Sequence, residues 1–151
     1  PPPRMAFYLK PRGKLLGHIS RIHTWLYRKT DGRVGHGLIG LRILLLGSTG
    51  RKSGALRVAP LPYFKVNGYL VVIASNAAQV KHPAWYHNVR ANPRVQLQVG
   101  REQYTALART LSGDERARAW RLVTEKEPRY AHYQGLVERE IPVVALERER
   151  A

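Results

Sequence analysis

Two periods organise the apolar positions of this chain. Between Lys14 and Tyr27, Leu15, Leu16, Ile19, Ile22 and Leu26 recur at helical spacing with Trp25 beside them, while Lys14, His18, Arg21, Arg28 and Lys29 fill the other side. This predicts a basic amphipathic helix. Its apolar stripe either caps the core of its own domain or rests on an anionic membrane or a lipophilic substrate. Residues 30–40 hold four glycines and no periodicity, which predicts a loop.

Beyond residue 40 the pattern shortens to that of strands. Leu41–Leu46 is a short apolar run, and Leu56–Phe64 is a second extended stretch in which Pro60 and Pro62 predict an edge position or a bulge. Asn67-Gly68, between Phe64 and a strand at Tyr69–Ala74, predicts a type I′ hairpin. Pro83 suits the first turn of a helix over Ala84–Ala91. Arg94–Val99 alternates, turns at Gly100-Arg101 and returns through Glu102–Leu111. Ser112 and Glu115 have the spacing of a capping box opening a helix to Lys126. A tyrosine-rich helix at Arg129–Leu136 and a closing strand at Val143–Leu146 complete the set. About six short, mostly antiparallel strands with interleaved helices predict a small barrel with helical covers in a single domain, preceded by the basic segment of 1–40.

Charge narrows the partner. Lys and Arg number 26 against 10 acids, a net charge of +16, which calls for nucleic acid, an anionic membrane or a small polyanion. The absence of cysteine removes disulfides, thiolate metal sites and cysteine nucleophiles. The first residues lack the apolar run of a secretory signal, and no stretch approaches 18 consecutive apolar residues, so a cytoplasmic protein is expected, membrane-associated only if the basic helix docks.

The candidate chemistry follows the same order along the chain. Residues 47–54 (G-S-T-G-R-K-S-G) do not form a Walker A loop, because Gly-Lys is missing at the required spacing and a strand follows rather than a helix. The turn nevertheless gathers backbone N–H groups, two cations and a hydroxyl at Arg51, Lys52 and Ser53. If the flanking strands pair, Arg57 falls beside them, and three converging cations call for an anion. Ala74-Ser75-Asn76 ends a strand in small side chains that let a flat ring approach the backbone. Trp85, Tyr86 and Asn88 stand at a helix start, where a packing role competes with a binding one. Tyr130 and Tyr133 share a helix face, either half-buried or offering hydroxyls to a substrate. The six histidines show no i, i+4 pair and no nearby acid cluster, so no metal is expected. There is no G-x-S-x-G, and the acids lie mostly in the C-terminal helices and tail, which argues against hydrolytic chemistry.

In order, I-H-T-W-L-Y-R at 22–28, T-G-R-K-S-G at 49–54, R-V-A-P-L at 57–61, I-A-S-N at 73–76, H-P-A-W-Y-H-N at 82–88, A-N-P-R-V at 91–95 and P-R-Y-A-H-Y at 128–133 resemble the deazaflavin-dependent nitroreductases of actinobacteria. The resemblance runs from about residue 15 to the end and rests on order and spacing rather than on one motif. It implies a mainly β fold with helices, a split β-barrel of the FMN-binding type, holding coenzyme F420 in preference to FMN. It implies that Arg51, Lys52, Ser53 and Arg57 hold the phosphate and acidic tail, and that Val58, Ala59, Pro60, Leu61 and Pro62 support the ring. Ile73, Ala74, Ser75 and Asn76, with Ala84, Trp85, Tyr86, His87, Asn88 and Tyr130, complete the coenzyme site. Ser75, Tyr130 and Tyr133 match the substrate-side hydroxyls. The implied reaction is hydride transfer from reduced F420 to a small electron-poor acceptor (an enone, quinone or nitroaromatic), by a monomer or weak dimer. Where the nitroimidazole-reducing member carries tyrosines this chain has Pro62 and Glu127, which puts alkenes and quinones ahead of nitro compounds. An FMN-dependent barrel and a nucleic-acid or membrane-binding module stand as rivals, although no nucleic-acid-reading motif is present.

Overall fold

The apolar run beginning at Leu41 forms a longer strand than its hydrophobicity predicts. In the computed structural model, which describes residues 41–150, β1 spans Arg42–Thr49 and carries Gly47 and Ser48 into the ladder. The expected helix of 14–27 and the loop of 30–40 lie outside the described residues. β1 extends because its partner extends: β2, Leu56–Val66, pairs with it antiparallel from Thr49↔Leu56 to Arg42↔Tyr63. Residues 50–55 thereby become a hairpin tip. β2 meets β3 (Tyr69–Ile73) only from Phe64 to Val66. Pro60 and Pro62 thus sit where β2 has β1 as its single strand partner, and a missing N–H there breaks no second ladder.

The two-residue connections are as the sequence predicts. Val66 pairs with Tyr69 across Asn67 and Gly68, both at positive φ (49° and 84°) as a type I′ turn requires. Val99 pairs with Glu102 across Gly100 (φ 61°) and Arg101. β4 (Arg94–Val99), β5 (Glu102–Thr110) and β6 (Val143–Arg148) complete a closed barrel in the order β1-β2-β3-β6-β5-β4.

Alternation along the strands creates two apolar cores. Leu44, Leu46, Val72, Leu97, Ala106 and Val144 are all fully buried and fill the barrel interior. Helix α1 (Ala84–Ala91) adds Trp85, Tyr86 and Val89 to this cluster. The alternate residues Phe64, Val66, Val71, Ile73, Val143 and Ala145 face outward and are covered by α2 (Gly113–Lys126) and α3 (Arg129–Leu136) through Ala119, Val123 and Tyr130. Helix α2 begins and ends where predicted, but the capping box does not form. Ser112 makes no side-chain cap bond, and the Glu115 carboxylate instead takes two hydrogen bonds from Arg109 (2.7 and 3.0 Å) and one from Tyr69 (3.1 Å). A bidentate pair with a guanidinium outcompetes a single bond from a backbone N–H.

Candidate functional site

The site is assembled where the β1–β2 hairpin tip meets the first turns of α1. Gly50 donates its N–H to the Ala55 carbonyl (2.7 Å), and Gly54, at φ +71°, donates to the Gly50 carbonyl (2.8 Å). A Cβ at Gly50 would stand 2.8 Å from Ser53 Oγ and 3.2 Å from the Ala55 oxygen, so any larger residue there would have to displace the Ser53 hydroxyl and press on the turn. Ser53 Oγ accepts the Ala55 N–H at 3.1 Å. The tip is tied to α1 by Asn88, whose Oδ1 accepts the Arg51 N–H (3.0 Å) and whose Nδ2 donates to Ser48 Oγ (3.4 Å). Asn88 and Ser48 are 4% and 1% exposed, so this tether is shielded from water.

Between tip and helix lies a cavity of about 420 Å³. Arg51, Lys52, Ser53 and Arg57 supply its polar wall, and Val58, Ala59, Ala84 and Trp85 its apolar one. Arg51 and Ala84 also border a second hollow of about 470 Å³ that continues along Lys81, His82, His87 and Arg139. No acidic residue occurs between Asp31 and Glu102. Among the described residues Arg51, Lys52, Arg57 and Lys81 have no carboxylate within salt-bridge distance; the ion pairs lie on Arg94, Arg109, Arg116, Arg129 and Arg148. Four cations that no described carboxylate neutralises, beside an apolar shelf, suit a ligand with an anionic end and a flat apolar one. Both histidines here are pushed below the ordinary imidazole range, first by burial and then by their cationic neighbours, Arg139 beside His82 and Arg51 beside His87.

The second wall begins at the end of β3. Ser75 is buried and right-handed (φ −76°, ψ −31°), and Asn76, Ala77 and Ala78 then follow at φ 50°, 51° and 62°. Three successive non-glycine residues in the left-handed region cost about 1–2 kcal/mol each. A right-then-left sequence also turns successive backbone N–H groups into one concavity, the geometry that receives anionic or carbonyl oxygens. The turn is closed by Ala78 N–H to the Ser75 carbonyl, Gln79 N–H to the Asn76 carbonyl (both 3.0 Å) and Asn76 Nδ2 to the Lys81 carbonyl (2.9 Å).

Sequence reasoning missed the residue beneath this turn. Arg139, in the loop after α3, donates to the carbonyls of Ala74 (3.3 Å), Ser75 (2.8 Å) and Gln79 (3.1 Å) and to His82 Nδ1 (2.9 Å). Its loop is itself fixed by Gln134, which donates to the Arg139 carbonyl (2.8 Å) and accepts the Ile141 N–H (2.8 Å). In the sequence Arg139 stands between Glu138 and Glu140 and looks like part of a solvated charge run.

The residues expected in one site are not all brought together. Arg51, Lys52, Ser53, Arg57, Val58, Ala59, Ala84, Trp85 and Asn88 meet around the first cavity, and His87 lines the second. Ser75 and Asn76 form the turn, while Ala74 and Leu61 pack on the barrel interior, as does Tyr86, whose hydroxyl shares a hydrogen bond with Thr110 (3.1 Å). Pro60 is exposed and Pro62 half-buried on β2. Ile73, Tyr130 and Tyr133 belong to the outer core. Tyr130 is 4% exposed, edge-on to Phe64 with ring centroids 5.9 Å apart and to Tyr133 at 6.2 Å. Burial raises its hydroxyl to a pKa of about 12. Helix α3 packs against the left-handed turn.

Known proteins resemble this chain in sequence and fold. An F420H(2)-dependent quinone reductase of Mycobacterium tuberculosis is 37% identical over 134 residues, covering 86% of this chain and 90% of that protein. A solved structure described as an F420-H2 dependent reductase superposes with a TM-score of 0.64 at 43% identity, over 70% of this chain and 93% of that one. Another, described as a domain-swapped dimer, gives 0.65 at 38% identity, over 83% and 98%. A heme storage protein of Vibrio cholerae, 16% identical with a TM-score of 0.55 over 72% of this chain and 82% of its own, shares the split-barrel fold alone. Among the described residues no helix is long and apolar enough to cross a membrane. The family profile described as F420H(2)-dependent quinone reductase matches residues 19–148, and the chain belongs to that family.

Proposed function

We propose that the protein is an F420H2-dependent reductase whose acceptors are quinones first, then enones, with nitroaromatics last. The observation that carries this reading is the cavity at the hairpin tip, whose lining holds no acid and where no described carboxylate pairs with Arg51, Lys52 or Arg57 beside the apolar shelf. A coenzyme with a phosphodiester and carboxylate tail attached to a flat ring supplies what both walls lack. Arg51, Lys52, Ser53 and Arg57 hold the anionic end, and Val58, Ala59 and Trp85 flank the ring. FMN, whose single phosphate leaves more of this positive charge uncompensated, is the weaker fit.

When bound, reduced F420 supplies a hydride, which together with one proton converts a quinone to its quinol. The remaining work falls to the protein. The cavity walls exclude water from the apolar side and fix the ring's orientation. Ser75 and Tyr130 hydrogen-bond the acceptor oxygen as negative charge develops on it. Tyr130 is suited to donate, because burial keeps its hydroxyl protonated throughout the physiological range. The excess cations at the surface favour a negatively charged coenzyme during encounter.

The test is consumption of reduced F420 with menadione, an enone and a nitroaromatic in parallel. Quinone turnover should be fastest. Ser75→Ala and Tyr130→Phe should lower kcat by about 10-fold or more while leaving coenzyme affinity nearly unchanged. Wild-type protein that oxidises reduced F420 with none of the three would end the proposal.

A further inference from the structure

The Arg139 guanidinium directs its hydrogen bonds at one short stretch. Its Nε reaches the Gln79 carbonyl, one terminal nitrogen the Ala74 carbonyl and His82 Nδ1, and the other the Ser75 carbonyl, so residues 74–82 converge on a single guanidinium. Those residues include the left-handed run of Asn76, Ala77 and Ala78, a conformation that persists only where the surroundings over-determine it. Because a guanidinium can only donate, His82 must present a bare Nδ1 and carry its proton on Nε2. The clamp therefore needs a neutral His82.

We propose that Arg139 is a positioning residue, holding the strained turn after Ser75 in the one geometry that presents this strand end to the coenzyme and acceptor. The proposal rests on the coenzyme reading above for its functional consequence, but not for the clamp itself. Its bonds are charge-assisted, those to Ala74, Ser75 and His82 partly buried and that to Gln79 exposed, and Gln134 fixes the loop from which the side chain extends. The groups facing His82 add a pH dependence. Arg139 approaches from the loop after α3, His87 and Arg90 from α1, Lys81 adjoins it in sequence, and Arg51 lines the same hollow from the hairpin tip. All are cations or imidazoles, and Tyr86 contributes only a ring, at 5.0 Å. A protonated His82 loses its bond to Arg139 and meets only positive charge. The clamp is thus intact above the ordinary histidine value of 6.5 and slackens as the pH falls below it.

Hydrogen exchange of the coenzyme-free protein tests this directly. In Arg139→Ala, amides of residues 74–82 should exchange about 10- to 100-fold faster at pH 7.5, with the barrel strands unchanged. Arg139→Lys, which keeps the charge but not the fork, should restore only part of the protection. Lowering the pH from about 7.5 to 5.5 should loosen the same segment in wild type, after correction for intrinsic chemistry. In His82→Asn, whose Oδ1 replaces the Nδ1 acceptor without titrating, the segment should stay protected. F420 affinity should weaken about tenfold in Arg139→Ala. Unchanged exchange at 74–82, or loosening spread evenly over the barrel, overturns the clamp. Were Arg139→Ala not to fold, the comparison of wild type with His82→Asn decides alone: equal pH responses refute it. Failure of wild type to bind F420 while 74–82 responds as described would sink the coenzyme reading and leave the clamp standing. Wild-type binding with Arg139→Ala of unaltered affinity would refute the positioning role.

Discussion

Replacing Asn88 by Ala should separate the architecture of the β1–β2 hairpin tip, the proposed coenzyme site, from the stability of the barrel. The substitution removes the acceptor for the Arg51 N–H at 3.0 Å and the donor to Ser48 Oγ at 3.4 Å, the latter buried at 1% exposure. With about 1 kcal/mol for each neutral hydrogen bond, the loss is about 2 kcal/mol. For a chain of this size that lowers Tm by roughly 4–8 °C. The hairpin tip, no longer fixed to α1, must be re-ordered when the coenzyme binds. If the competent turn is then populated only about a tenth of the time, the Kd for F420 rises about tenfold. Calorimetry and a fluorescence titration read the two effects separately. Leu97→Ala is the control, since Leu97 is fully buried inside the barrel and its truncation costs at least about 2 kcal/mol. Leu97 lies in the interior cluster rather than on the cavity wall, so its loss should leave coenzyme affinity unaltered in the folded protein. Equal affinity losses in both variants, or a destabilised Asn88→Ala that binds normally, would refute the argument.

Two further outcomes follow from charge. Arg57→Ala should weaken F420 binding about 10-fold at low salt, with a smaller difference at high salt, and a titration at two ionic strengths checks it. Glu115 is held below the ordinary carboxylate value of 4.5, first by its hydrogen bond from Arg109 and further by Tyr69. A depressed acid stabilises the fold above its ordinary value and loses that contribution as the pH falls through the folded one. Acid unfolding followed by circular dichroism should therefore show Glu115→Gln with a shallower slope below pH 4.5 than wild type.

The parts of the fold legible in the sequence are those written locally. Asn67-Gly68 and Gly100 specify their hairpins because only glycine and asparagine readily adopt the positive φ that a two-residue turn demands. The alternation of β4 and the limits of α1, α2 and α3 were equally plain. The extension of β1 through Thr49 was not, because polar Ser48 and Thr49 are held in the ladder by Arg57 and Leu56 across the hairpin. The capping box failed for a tertiary reason: Arg109, on β5, claims Glu115. Of the site, the cationic turn at 51–57 declared itself through the density of its chemistry. Nothing in Ala77 or Ala78 announces a left-handed turn, and the partner that holds it lies some sixty residues away in a stretch of alternating charge. Asn88 was legible as a candidate site residue, but its hydrogen bonds to the tip required the geometry to be seen.

The central claim is that the acid-free cavity between the hairpin tip and α1 is built for a polyanionic deazaflavin. Parallel fluorescence titrations of wild type and Arg51→Ala with F420 and with FMN test it most directly. The account predicts that wild type binds F420 more tightly than FMN, that Arg51→Ala weakens F420 by about 10-fold or more, and that added salt narrows the gap. Tighter binding of FMN than of F420 by wild type, or F420 affinity indifferent to both Arg51 and salt, would contradict it.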